Sequence, residues 1–125
     1  MLEFSQVIAV YNAIANGVKA LADYRSKNSE KYKSALLLVY TAANESKSYI
    51  TGLKNRKSPD QEREAKIARL WTEAAVNLRT IDRDLAEKCL VFGDSVAEST
   101  EWSREQVDEA RKSVTAIFEQ ARGLL

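Results

Sequence analysis

The sequence predicts an all-α fold, a four-helix bundle running up-down-up-down. Three observations carry that prediction. The chain has one Pro and four Gly in 125 residues with 30% charged residues, a composition suited to long helices and short of the turn residues that sheets require. Its apolar residues recur at alternating spacings of three and four, the mark of helices packed along heptad seams. Clustered breakers and caps fall in three segments, Arg25 to Ser29, Asn55 to Asp60 and Gly93 to Ser103, and three breaks make four elements. The length suits a single domain over residues 1–125, large enough to close one hydrophobic core.

The first helix is expected over about Ser5 to Tyr24, with Phe4, Val7, Tyr11, Ile14, Val18 and Leu21 on its seam. Phe4 to Val18 carries no charge and Ala13-Ile14-Ala15 mimics a signal-peptidase site. Glu3 in place of a basic n-region, and the interruptions at Gln6, Asn12 and Asn16, favour a structural helix over a secretory leader. The same run is too short and polar for a bilayer span, which takes about 20 mostly apolar residues. The second helix, about Ser29 to Lys54, places Tyr32, Leu36, Val39, Ala43, Ser46, Ile50 and Leu53 on its seam.

The third helix is expected to run unbroken over about Pro59 to Phe92, with Ile67, Trp71, Ala74, Leu78, Ile81, Leu85, Lys88 and Phe92 facing the core. Ser58-Pro59-Asp60-Gln61 reads as its capping box, and Gly93 as the left-handed residue that closes it. At 1.5 Å per residue it would be about 50 Å long and would overhang its neighbours. Its charged first turns, Gln61 to Lys66, would then stand in solvent or pair with the end of the second helix. Val96 and Trp102 would cover the apolar Leu90-Val91-Phe92. Arg79 to Asp84 reads as an outward face of alternating charge. The fourth helix, about Arg104 to Arg122, follows a second capping box, Ser103-Arg104-Glu105-Gln106, and carries Val107, Ala110, Val114, Ile117, Ala121 and Leu124 on its seam.

Function classes narrow by absence. The chain has no His, which removes Ser-His and Cys-His nucleophiles, the commonest general base near neutral pH, and the Glu-x-x-His pattern of di-metal bundles. The four Gly stand apart at 17, 52, 93 and 123, so there is no phosphate loop. No catalytic residue, metal site or cofactor is expected. The lone Cys89 excludes an intramolecular disulfide and fits a cytoplasmic protein. It falls near a helix C-terminus, where the dipole disfavours a thiolate, so it reads as a packing residue. No carboxylate occupies a seam position, so no buried acid with a raised pKa is expected. Glu105, Asp108 and Glu109, beside Arg104 and Lys112, read as a solvated ion-pair surface.

Two surfaces are candidate sites. The run Leu36-Leu37-Leu38-Val39-Tyr40 goes right round its helix, so Leu37 and Leu38 fall at outward positions. Antiparallel pairing of the second and third helices sets them level with Val76, also outward on its heptad. Leu37, Leu38, Tyr40 and Val76 are therefore the expected interface, for a second copy in a dimer or for another protein. The other surface is basic: Lys47, Lys54, Arg56 and Lys57 could hold a phosphate backbone or an anionic membrane surface, and Tyr40 and Tyr49 near this stripe could stack on bases. Residues 1–57 carry a net +5 and residues 58–125 a net −4, but the whole chain stands at +1, and nucleic acid is disfavoured without a broader basic face. The expected function is a non-enzymatic interaction or oligomerisation module. Anion binding is the alternative, and a ligand pocket inside the bundle a third, lesser one. Ser46 and Lys88, the two plainly polar seam residues, read as frayed ends or register devices.

Overall fold

A computed structural model describes residues 3–24 and 29–125. The break expected over Arg25 to Ser29 lies mostly outside the described residues. The described chain is all helical, and the four expected helices become five: α1 (Phe4–Ala20), α2 (Glu30–Lys54), α3 (Gln61–Leu78), α4 (Arg83–Ser95) and α5 (Arg104–Leu124). Short 3-10 segments, Leu21–Asp23 and Val96–Glu101, follow α1 and α4. α1 packs on α4 and α5, α5 on α2, α2 on α3 and α3 on α4, which closes a ring of five helices around one core.

Local chemistry sets each boundary. The Ser29 hydroxyl accepts from Tyr32 N–H at 3.1 Å, and Ser103 and Gln106 exchange the two bonds of a capping box at 3.1 and 2.9 Å. In place of the capping box expected at Ser58, a single cap lies two residues further on. Asp60 caps α3 by accepting from Arg63 N–H at 3.1 Å, and Pro59 stays outside the helix. α2 ends in a Schellman turn, with Lys57 N–H donating to the Gly52 carbonyl and Arg56 N–H to that of Leu53. The left-handed residue in that turn is Arg56, at φ 67°, where glycine is usual.

The predicted long third helix breaks at residues 79–82. The Leu78 carbonyl accepts from both Ile81 and Asp82 N–H at 2.9 and 2.8 Å, and the Asp82 carboxylate then caps α4 through Leu85 N–H at 3.1 Å. Arg79 to Asp84 is thus a turn and a cap, not an outward helical face. α4 folds back along α3, so helices of about 27 and 20 Å replace one of about 50 Å. The seam changes phase at the break: Leu85, Cys89, Phe92 and Val96 are buried, while Ile81 and Lys88 are half-buried. Gly93 is not a terminator but an interior residue of α4. A Cβ there would stand 3.3 Å from the Ala68 carbonyl oxygen and from Trp71 Cβ, so glycine lets α4 press against α3.

The remaining seams hold closely. Outside the α3–α4 pair, the expected seam residues are buried except Phe4, Leu53 and Leu124, which are half-buried. At mid-bundle Trp71 of α3 stacks on Phe92 of α4 at 4.3 Å, and Phe92 on Tyr11 of α1 at 4.0 Å. That stack covers Phe92, the role expected of Val96 and Trp102; Val96 is buried nearby and Trp102 instead meets Phe4 edge-on at 5.4 Å. The polar atoms in this core are paired. Ser46 donates to the Ala42 carbonyl and accepts from Trp71 Nε1 at 2.9 Å, fixing the height of α3 against α2. Ser95 donates to the Phe92 carbonyl, so its hydroxyl oxygen is the acceptor for Tyr11 at 2.8 Å, and burial pushes the Tyr11 phenol far above its ordinary pKa.

Candidate functional site

The basic stripe is partly spent within the fold. Lys54 Nζ bridges to Asp108 of α5 at 2.8 Å, and Lys47 Nζ sits 4.3 Å above the Phe118 ring, which stacks on Tyr40 at 5.2 Å. Arg56 and Lys57 remain exposed in the turn. Of the expected acidic set on α5, Asp108 is the organising member: it also pairs with Arg111 at 2.9 Å and Lys112 at 3.5 Å. Hydrogen bonds from Lys54 and then Arg111 hold its carboxyl well below the usual carboxylate range. Cys89 is fully buried in α4, and burial, followed by the charge of Asp82, pushes its thiol up to about 12, so it carries no thiolate at neutral pH. Lys88 of α4 pairs with Asp84, one turn earlier. Among the described residues no group of three His, Cys, Asp or Glu is placed to hold a metal ion, and no helix is long and apolar enough to cross a membrane.

The expected apolar residues divide between faces. Leu37 is 54% and Val76 60% exposed, whereas Leu38 and Tyr40 are half-buried. Leu37 borders a groove of about 570 Å³ between the start of α2 and the end of α5, together with Tyr32, Leu36, Leu124 and Leu125. Tyr40, one turn along and stacked on Phe118 of α5, extends the same flank. Leu38 follows Leu37 by 100° of helical rotation. Val76 lies elsewhere, because it is eleven residues, close to three full turns, from Ala65 and shares its face. Ala65 lines a second groove, between α3 and the 3-10 segment Val96–Glu101. The same helical height therefore does not give a single patch. The members the structure brings together are Leu37 and Tyr40, with Leu125 as a partner the sequence reading left out.

An acid outside the predicted seams is buried. Glu64, in the first turns of α3, is 7% exposed; its Oε2 accepts from the Tyr49 hydroxyl of α2 at 2.6 Å and from the Ser99 hydroxyl at 3.5 Å. The Tyr49 oxygen also accepts from Asp60 N–H at 3.0 Å. Burial and the bond to Glu64 push the Tyr49 phenol up to about 12, so it remains a donor at neutral pH. The signal was present in the heptad: one step of three back from Ile67, the seam arrives at Glu64. Tyr49, considered as a base-stacking residue, is instead buried as the link between α2 and α3.

Compared with known proteins, the chain matches no family model, no curated protein and no solved structure.

Proposed function

We propose that this protein is a non-enzymatic interaction module that self-associates through the groove between the start of α2 and the end of α5. The observation that carries this reading is the placement of exposed apolar surface. Of the three large apolar side chains exposed among the described residues, Leu37, Val76 and Leu125, two border the same groove. Its floor and walls are Leu36, Leu124 and Tyr32, and among the described residues Lys33 is its one charged side chain. Isolated exposed leucines are ordinary on a soluble surface, whereas adjoining ones beside a concave apolar wall are the material of an interface. A two-fold arrangement lets Leu37 of each copy enter the groove of the other. A stable contact buries about 800 Å² per partner, so the interface would extend along α2 through Tyr40.

The basic turn gives less support to anion binding, because Lys47 and Lys54 are already engaged with Phe118 and Asp108. Light scattering on the purified protein tests the preferred reading. The wild type is expected at twice the 14.0 kDa chain mass, and Leu37→Glu at the chain mass with an unchanged far-ultraviolet dichroism spectrum. A wild type that stays monomeric at high concentration overturns self-association.

A further inference from the structure

The interaction groove leaves Glu64 unexplained, at the opposite end of the bundle. A carboxylate removed from water is costly unless it is both hydrogen-bonded and matched by an opposite charge. Glu64 meets the first condition in part and the second not at all. Both of its hydrogen bonds fall on Oε2, and among the described residues it forms no salt bridge. The neighbouring cations of α3 turn the other way. Arg63 and Lys66 pair with Glu45 of α2 at 3.9 and 3.6 Å, and the Arg63 guanidinium lies 5.2 Å from the centre of the Tyr49 ring. Among the described residues Oε1 takes no hydrogen bond, yet no buried side-chain oxygen there is left without a partner. That oxygen must therefore reach open space, and the space beside Glu64 is a groove of about 660 Å³ between α3 and the end of α4 with its 3-10 segment.

The groove is chemically one-sided. Among the described residues its charged lining is Glu64 and Asp94, with no Lys or Arg, and Gln61 and Thr100 add neutral polar groups. Ala65, Ala68, Gly93 and Ala97 make a shallow wall of small residues along which an alkyl stem can lie. We propose that this groove receives a lysine or arginine side chain of a partner polypeptide, with the cationic head on Glu64 Oε1 and the stem against the alanine wall. The arrangement combines a largely buried acid, an oxygen facing the groove and, among the described residues, a lining without competing cations, which is the electrostatic complement of a basic side chain. Tyr49 and Ser99, by holding Oε2, fix the carboxylate so that the other oxygen is presented without further reorganisation.

The test is a titration of ¹⁵N-labelled protein followed through the amides of Ala65, Asp94 and Ala97. The probes are acetyl-Ala-Ala-Lys-Ala-Ala-amide, its arginine and norleucine counterparts, and butylammonium as a free amine. The lysine or arginine peptide is expected to give saturable shifts with a Kd on the order of 1 mM. The norleucine peptide is expected to give none, and butylammonium to bind more weakly than the peptide. Glu64→Gln keeps an acceptor for Tyr49 and removes the charge, and should weaken peptide binding at least about ten-fold while the dichroism spectrum is retained. Ala97→Arg, at an exposed wall position, sets a tethered cation in the groove and should produce the same loss with Glu64 intact. The proposal is overturned by equal shifts from the norleucine peptide, by butylammonium binding as tightly as the peptides, by no saturable shift, or by undiminished binding in both variants. Leu37→Glu should leave these shifts unchanged, so failure of the self-association reading and failure of this one are separable.

Discussion

The two ends of the bundle are closed by different physics. At the end formed by the α2–α3 turn, the α3 cap and the 3-10 segment, directional bonds do the closing. Tyr49 joins Asp60 N–H to Glu64, Ser99 reaches the same carboxylate, and a Schellman turn ends α2. At the end where α2 starts and α5 finishes, Leu36, Leu124 and Tyr32 meet as an apolar wall, tied among the described residues by the Tyr32 hydroxyl donating to the Leu21 carbonyl at 3.1 Å, and leave Leu37 and Leu125 outside. Hydrogen bonds fix register and angle, because they weaken steeply with misalignment. Apolar burial scales with area and is indifferent to direction, so it tolerates an open rim and a second surface laid over it. The polar end specifies how α2 and α3 meet; the apolar end leaves Leu37 and Leu125 exposed.

Truncation at the apolar end should have the largest effect on stability. Leu36 is buried at the base of the groove, and Leu36→Ala should cost about 2 to 5 kcal/mol in denaturant unfolding, towards the lower part if the open groove lets neighbours collapse into the space. At the polar end, Tyr49→Phe deletes an acceptor for Asp60 N–H and the donor to Glu64, and should cost about 1 to 3 kcal/mol. If Tyr49→Phe proves neutral, the polar end is not held by directional bonds and the contrast fails.

A smaller change should go the other way. Arg56 occupies a left-handed conformation that costs an ordinary residue about 1 to 2 kcal/mol, part of which glycine returns through its freer unfolded chain. Arg56→Gly should therefore raise stability by about 0.5 to 1 kcal/mol in the same assay. The least effect is expected at the exposed ion-pair surface that joins α2 to α5. The fold holds the Asp108 carboxyl below its ordinary value of 3.8, so its contribution is present above that pH and is lost as pH falls through the folded value. Wild type should melt slightly above Asp108→Asn at neutral pH, the two should converge under acid, and added salt should shrink the neutral-pH gap.

Much of this was legible in the residues. The α1, α2 and α5 seams, the Ser103 capping box and the exposure of Leu37 and Val76 follow from spacing and cap chemistry, which act within a few residues. The break at 79–82 was harder to see because it contains neither Gly nor Pro. Its signs were Asp82 three residues before Leu85, a cap spacing, and Lys88, a cation at a seam position that the phase change moves to the half-buried edge of α4. Glu64 falls outside the predicted seam because that seam starts one step late, at Ile67. The division of Leu37 from Val76 was not legible from helical height, since two residues on one level can still point to different flanks.

The sequence by itself determined that the chain is helical, where most helices begin, and which stripe of each turns inward, because 3.6-residue periodicity and caps are properties of a segment. Only the tertiary structure decided that α4 doubles back on α3, that Gly93 serves as a contact for Ala68 and Trp71, and that Glu64 lies buried beside Tyr49. Those outcomes depend on which surfaces meet, and burial is a property of the pair, so no single helix carries it.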